Sequence, residues 1–189
     1  STVSRRWQMD RKYYTKVFAE GDFSVRIVWL DTTPLIDKYR KDSDKYPDAR
    51  LEDMDAQLRW LDQVLGSAKE NWVIVVGHHP VYAYTDKSEK ERLDMQERLI
   101  PILERYHVDF YTCGHIHNFQ HIRMPGSDID YIVNSSASLS REDVRRIQGS
   151  RFISGEAGFG VISASRKTLT FSMVNQDGDI IYQITRNKR

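Results

Sequence analysis

The sequence predicts an α+β chain built as one layered unit, on three observations. Apolar residues alternate with period two near both ends, from Tyr13 to Trp29 and again from Phe159 to Thr185. Between these stretches, two helical patterns separate short continuous apolar runs. Both runs, Trp72 to Val76 and Val108 to Cys113, end abruptly in histidine-bearing turns.

In order along the chain, Tyr13 to Ala19 and Phe23 to Trp29 flank Glu20-Gly21-Asp22 and predict a β-hairpin. Phe23, Val25, Ile27 and Trp29 share one face of the second strand, and Ser24, Arg26, Val28 and Leu30 the other. Pro34 ends it. Ile36 to Arg50, rich in Lys, Asp and Tyr, predicts an exposed loop. A helix starting at Asp53 or Asp55 carries Leu58, Leu61, Leu65 and Ala68 on one face. Trp72 to Val76 predicts a strand buried on both faces. A second helix is expected from about Ser88 to Tyr106, kinked or broken at Pro101, with Val108 to Cys113 as the next buried strand. Phe119 to Met124 and Ile129 to Val133 flank a Pro125-Gly126-Ser127 turn, and Asn134 to Gly155 predicts a long loop with one helical turn. Three short strands, Phe159 to Ser163, Leu169 to Val174 and Ile180 to Thr185, predict an antiparallel meander.

The 189 residues are 40% hydrophobic and 29% charged, ample for one domain with its own core. With 28 basic and 27 acidic residues the net charge is +1, which leaves no electrostatic footprint for nucleic acid or an anionic membrane. A single cysteine, Cys113, excludes an internal disulfide framework. No apolar run approaches the roughly 20 residues that span a bilayer. The opening Ser1 to Trp7 has neither a signal-peptide core nor an initiator methionine, and reads as chain continued from a longer protein.

Trp72 to Cys113 is a strand, a helical crossover and a strand, so Gly77-His78-His79-Pro80 and Cys113-Gly114-His115-Ile116-His117-Asn118 fall just beyond the carboxyl ends of two neighbouring strands. Ligands collect at that edge of an α/β sheet. Imidazoles there suit zinc, iron, manganese or nickel. His78, His115 and His117 can make a one-metal site, or serve two ions about 3.5–4 Å apart as in bimetallic hydrolases. Two ions need carboxylates, and Asp86 and Asp109 are the nearest candidates. His79, before a proline, reads as a pocket-lining or structural residue, and His107 as a helix-end cation. His121 reads as a residue behind the site or on the surface, and the four tryptophans as core.

Val75-Val76-Gly77-His78-His79-Pro80-Val81 and Cys113-Gly114-His115-Ile116-His117-Asn118 resemble the last two signature blocks of the calcineurin-like metallophosphoesterases. Arg6-Trp7, Tyr13-Tyr14, Trp29-Leu30-Asp31-Thr32, Gln57-Leu58-Arg59-Trp60-Leu61 and Gly158-Phe159-Gly160 follow the order of the tartrate-resistant, purple acid phosphatase branch. The resemblance implies a layered α/β/β/α fold, a β-sandwich of two mixed sheets flanked by helices. It implies His78 and His115 on one metal and His117 on the other, with iron paired with iron, zinc or manganese. The aspartate and asparagine blocks that complete such a site are absent here. Gly178-Asp179-Ile180-Ile181-Tyr182 matches one of them by letter but falls at a hairpin turn after the histidine blocks.

The chain therefore resembles the C-terminal part of a phosphate-ester hydrolase, with the N-terminal part of the same protein as its missing partner. The branch's leaving-group histidine has no counterpart in Tyr82-Ala83-Tyr84-Thr85-Asp86-Lys87, which leaves His79 or Asp86 as the candidate acid. By itself the chain is expected to bind metal weakly or not at all, to turn over nothing, and to self-associate through exposed sheet surface. The branch leans to secreted, lysosomal or periplasmic locations. A phosphodiesterase of the same fold and a non-catalytic metal-binding or interaction module remain as alternatives.

Overall fold

The computed structural model describes residues 9–42, 44–86, 89–134, 136–137 and 139–188. The sequence readings at Arg6, Trp7 and Ser88 lie outside them. Strands β1 (Tyr14–Glu20) and β2 (Phe23–Trp29) form the expected hairpin, closed by a turn in which Gly21 takes φ +57°. Helices α1 (Asp37–Lys41), α2 (Pro47–Leu51) and α3 (Met54–Gly66) lead to β3 (Trp72–Val76), which lies parallel to β2. Helix α4 (Glu89–Arg105) then crosses to β4 (Phe110–Cys113), parallel to β3. Strands β5 (Phe119–Ile122), β6 (Asp130–Asn134) and β7 (Ser150–Ser154) complete a seven-stranded sheet of order β1-β2-β3-β4-β6-β5-β7. Strands β8 (Gly158–Ala164), β9 (Thr168–Asn175) and β10 (Ile180–Asn187) form a separate antiparallel sheet, the expected meander.

Side-chain alternation along the parallel strands divides the core in two. On β3, Val75 and Val73 face the helices, packing with Leu61, Leu65, Met95, Leu99 and Leu103. Trp72, Ile74 and Val76 face the small sheet, packing with Phe110, Phe171 and Met173. Burying each such large side chain contributes roughly 1.5–3 kcal/mol. All four described helices lie on one face of the large sheet and the small sheet on the other.

Three expectations are corrected. The segment 36–50 is not an exposed loop: Leu35 and Ile36 are fully buried, and Tyr39 and Ala49 are buried on α1 and α2. Two of its polar residues dock on α4: Asp37 pairs with Arg98 at 2.5 Å while its N–H donates to Asp94 Oδ2 at 2.9 Å, and Lys38 Nζ meets Glu91 at 2.8 Å. Pro47 at the first turn of α2 suits a position whose N–H is unused anyway. Helix α4 runs through Pro101 without a break. Glu97, four residues earlier, and Pro101 are both exposed, so water can satisfy the carbonyl that the proline leaves unpaired. The segment 134–155 contains no helical turn among its described residues, and Ser150–Ser154 is instead strand β7, paired with β5.

At the amino edge of the parallel strands a polar network joins the two sheets. Asp130 accepts from His121 Nε2 at 2.9 Å and from Arg186 Nη1 at 2.8 Å. Arg186 Nε lies 3.3 Å from Asp109, whose other oxygen accepts the Val73 N–H at 2.8 Å. His121 is thus buried and not a surface residue, its Nδ1 3.0 Å from Tyr182 Oη. Asp109 is at the opposite edge from the histidine turns, so it does not serve as their carboxylate.

Candidate metal centre

The histidine turns are joined directly. Gly77 N–H donates to Thr112 O at 3.0 Å, and Gly114 N–H to His78 O at 3.1 Å, which extends the β3–β4 pairing past the strand ends. Gly77 has no room for a side chain: a Cβ there would lie 2.5 Å from Tyr111 Oη and 2.7 Å from Thr32 Cγ2. Both neighbours hold the His78-His79 backbone. Tyr111 Oη donates to His79 O at 2.7 Å. Thr32 Oγ1, 2% exposed, accepts the N–H groups of His78 and His79 at 3.3 and 3.2 Å and meets His79 Nδ1 at 2.8 Å. Thr32 is itself fixed through Asp31, whose backbone N–H and C=O pair reciprocally with the buried amide of Gln57 on α3, each at 2.9 Å.

On the second turn, His115 and His117 adopt φ +75° and +60°. Left-handed backbone at a residue bearing a Cβ costs about 1–2 kcal/mol. Ile116 between them is buried as a plug, with its N–H bonded to Gly114 O at 3.0 Å, and Arg141 N–H bonds His117 O at 2.8 Å. These contacts hold the strained turn in place.

The turns bring His78, His79 and His115 together. One ligand atom from each lies within 4.8 Å of the others, and among the described residues this is the group of three or more histidine, cysteine or carboxylate side chains so arranged. His115 Nδ1 is 3.0 Å from His78 Nε2. The His79 and His115 ring centroids are 4.5 Å apart. His117, expected as a ligand, is half-buried and stands outside this trio. His79 is 4% exposed, with Nε2 3.3 Å from Tyr39 Oη as well as Nδ1 against Thr32. Asp86 is exposed and 3.4 Å from Arg141 Nη1. Convergent imidazoles suit a divalent ion of the zinc or iron type, and within this trio His79 has both ring nitrogens in hydrogen-bond reach of Thr32 and Tyr39.

Sequence reasoning missed four supports of this site: Thr32, Tyr39, Gln57 and Glu91. Glu91, on the first turn of α4, is buried with Oε2 3.4 Å from His115 Nε2 and Oε1 2.8 Å from Lys38 Nζ. Burial alone would raise its carboxyl, but the Lys38 hydrogen bond and charge, together with His115, hold it below the ordinary value. Burial pushes the Tyr39 phenol up, with the Glu91 charge acting the same way. Burial also raises the Cys113 thiol, which keeps it protonated and removes it as a soft ligand. The signal for Glu91 was its spacing: it shares a helix face with the inward Met95 and Asp94.

Residues 4–119 match the model of the calcineurin-like phosphoesterases. The chain belongs to that family. Its relatives include tartrate-resistant acid phosphatase type 5 of Homo sapiens, 28% identical over 204 aligned residues that cover 100% of this chain and 61% of the relative. Purple acid phosphatase 17 of Arabidopsis thaliana is 32% identical over 130 residues, covering 65% of this chain and 38% of that protein. The chain thus spans about three-fifths of the length of its tartrate-resistant relatives (61%). Among solved structures, GAP50, titled the anchor in the inner membrane complex of Plasmodium, superposes with TM-score 0.79 at 24% identity over 97% of this chain and 57% of that one. A purple acid phosphatase from yellow lupin superposes with TM-score 0.66 at 17% identity, over 93% of this chain and 32% of that one. The mostly parallel sheet backed by an antiparallel one is the metallophosphoesterase arrangement. The family is metal-dependent, in keeping with the histidine cluster.

Thr32→Val is expected to remove the hydroxyl that serves two backbone N–H groups and one imidazole nitrogen. Leaving such buried groups unsatisfied costs about 1–3 kcal/mol. Urea unfolding measures the loss, and an unchanged midpoint would show that Thr32 does not anchor the His78-His79 turn.

Proposed function

We propose that this chain is the C-terminal part of a metal-dependent phosphoric ester hydrolase, acid-phosphatase-like and acting on phosphomonoesters. The observation that carries the proposal is the convergence of His78 and His115 at 3.0 Å beyond the carboxyl ends of parallel strands, in a member of the phosphoesterase family. In this reading His78 and His115 hold one ion and His117 the other. The completing carboxylates come from the upstream part of the same protein. Two such ions, iron with iron, zinc or manganese, supply Lewis acidity toward a phosphoryl oxygen when bound.

The chain's own residues then do three things. Thr32 and Tyr111 fix the backbone that presents His78, and the left-handed turn presents His115 and His117 on either side of buried Ile116. His79, buried and engaged at both ring nitrogens, anchors the turn rather than delivering a proton. Asp86, exposed beside Arg141, is the remaining candidate to protonate the leaving alkoxide. Strand β8 is an open edge bearing exposed Phe159, Val161 and Ile162, which supports contact with the upstream part at that edge. A secreted, lysosomal or periplasmic location goes with the same reading. No described helix is long and apolar enough to cross a membrane.

Two measurements test this. The protein carrying its upstream part is expected to hydrolyse p-nitrophenyl phosphate faster than bis(p-nitrophenyl) phosphate. The reverse preference would make it a phosphodiesterase, and no turnover of either with added iron, zinc or manganese would favour a non-catalytic module. That last reading draws on the trio's lack of a carboxylate among the described residues. The 189-residue chain alone, with three neutral ligands facing two divalent charges, is expected to show weak or no heat of binding with zinc or manganese. Tight two-site binding would overturn the assignment of the missing ligands to the upstream part.

A further inference from the structure

We propose that Glu91 is a positioning residue for His115: its carboxylate fixes the imidazole as the Nε2–H tautomer, and so aims the Nδ1 lone pair at the metal-binding side. The inference rests on the reading of His115 as a metal-facing histidine and goes beyond it by assigning which nitrogen faces the ion and what sets that choice.

A neutral imidazole carries one N–H and one lone pair, and whichever nitrogen meets an acceptor keeps the proton. His115 lies between two unlike neighbours. Its Nε2 is 3.4 Å from Glu91 Oε2, an acceptor only, while its Nδ1 is 3.0 Å from His78 Nε2. The carboxylate is itself clamped. Lys38 Nζ, reaching over from α1, holds Oε1 at 2.8 Å, and Tyr39 Oη adds a contact at 3.5 Å, which leaves Oε2 turned to the histidine. Glu91 does not join the three histidines whose ligand atoms lie within 4.8 Å of one another. It therefore stands behind the ring and not beside the other ligands. With Nε2–H donated to Glu91, Nδ1 is the lone-pair nitrogen, on the side that meets His78 Nε2. The same arrangement, a carboxylate behind a ligating imidazole, orients metal-binding histidines and raises their basicity.

Nitrogen-15 NMR of the histidine rings at about pH 8, with metal removed, reads the tautomer directly in the full chain. The unaltered chain is expected to show His115 protonated at Nε2. Glu91→Gln, whose amide oxygen still accepts, is expected to keep that tautomer, and Glu91→Ala to lose it. Protonation at Nδ1 in the unaltered chain, or an unchanged spectrum in a folded Glu91→Ala chain, would overturn the proposal. Should Glu91→Ala fail to fold, Glu91→Lys, which puts a donor in place of the acceptor, is expected to move the proton to Nδ1, and the unaltered tautomer in a folded Glu91→Lys chain would overturn the proposal. In the protein with its upstream part, Glu91→Ala is also expected to weaken zinc affinity about 10–100-fold, with Glu91→Gln much closer to the original. The tautomer needs no turnover, so absent phosphatase activity would overturn the proposed function while leaving the Glu91–His115 pair standing.

Discussion

Replacing Asp130 by alanine is expected to destabilise the fold by about 3–5 kcal/mol, the range for removing one member of a buried charge pair. Asp130 is 1% exposed and accepts from His121 at 2.9 Å and Arg186 at 2.8 Å, so its loss leaves a guanidinium without that carboxylate between two sheets. Arg186 sits on β10 and His121 and Asp130 on β5 and β6, which makes the carboxylate a cross-sheet fastening and not a local one. Burial by itself would raise the Asp130 carboxyl, but hydrogen bonds from His121 and Arg186 outweigh it and leave the group below its ordinary value. A depressed carboxyl stabilises above its unfolded pKa, about 3.9, and loses that contribution as pH falls through its lower folded value. Urea midpoints taken from pH 7 downwards are thus expected to fall for the natural chain below about pH 4. Asp130→Ala should start lower and lack this part of the acid decline. A midpoint at pH 7 unchanged by the substitution would remove the network from the account of the sandwich.

Phe171→Ala is the second large expected loss, about 3–5 kcal/mol for truncating a buried phenylalanine and leaving a cavity. The ring is 1% exposed at the centre of β9 and meets Phe110 of the large sheet edge-on, with centroids 6.3 Å apart. It fills the space above Gly160 on β8, where an added Cβ would lie 2.4 Å from its Cζ. Neighbouring strands therefore cannot close the cavity without giving up their pairing. Phe171→Leu, nearer in volume, should cost about 1.5 kcal/mol or less. Thermal or urea unfolding of both variants separates them, and equal losses would mean that the ring's volume is not what joins the sheets.

These two positions show unequal legibility. Phe171 was readable as an inward strand residue because β periodicity ran cleanly through Leu169, Phe171 and Met173. His121, Asp130 and Arg186 were not readable as partners: they lie on three strands, and sequence gives no register between strands that are not joined by a short turn. Strand β7 was hidden for the same reason, since Ser150–Ser154 finds its pairing only where β5 offers an edge. Helices α1 and α2 were hidden by composition: each buries one side chain, Tyr39 or Ala49, among mostly exposed charged residues, and on α1 Asp37 and Lys38 pair with α4.

By itself the sequence determined the hairpin, the β3–α4–β4 crossover, the closing meander and the edge at which His78 and His115 would meet. Each is a local pattern: apolar period, run length, and the turn that stops the run. Tertiary structure alone decided that His79 rather than His117 closes with them into a trio, and that Glu91 stands behind His115. The rotation of α4 about its axis and the left-handed turn at His115-Ile116-His117 set those outcomes. The first is set against Lys38 and Tyr39 of α1, which hold Glu91, and the second by buried Ile116 and the Arg141 N–H on His117 O, contacts whose approach no sequence period records.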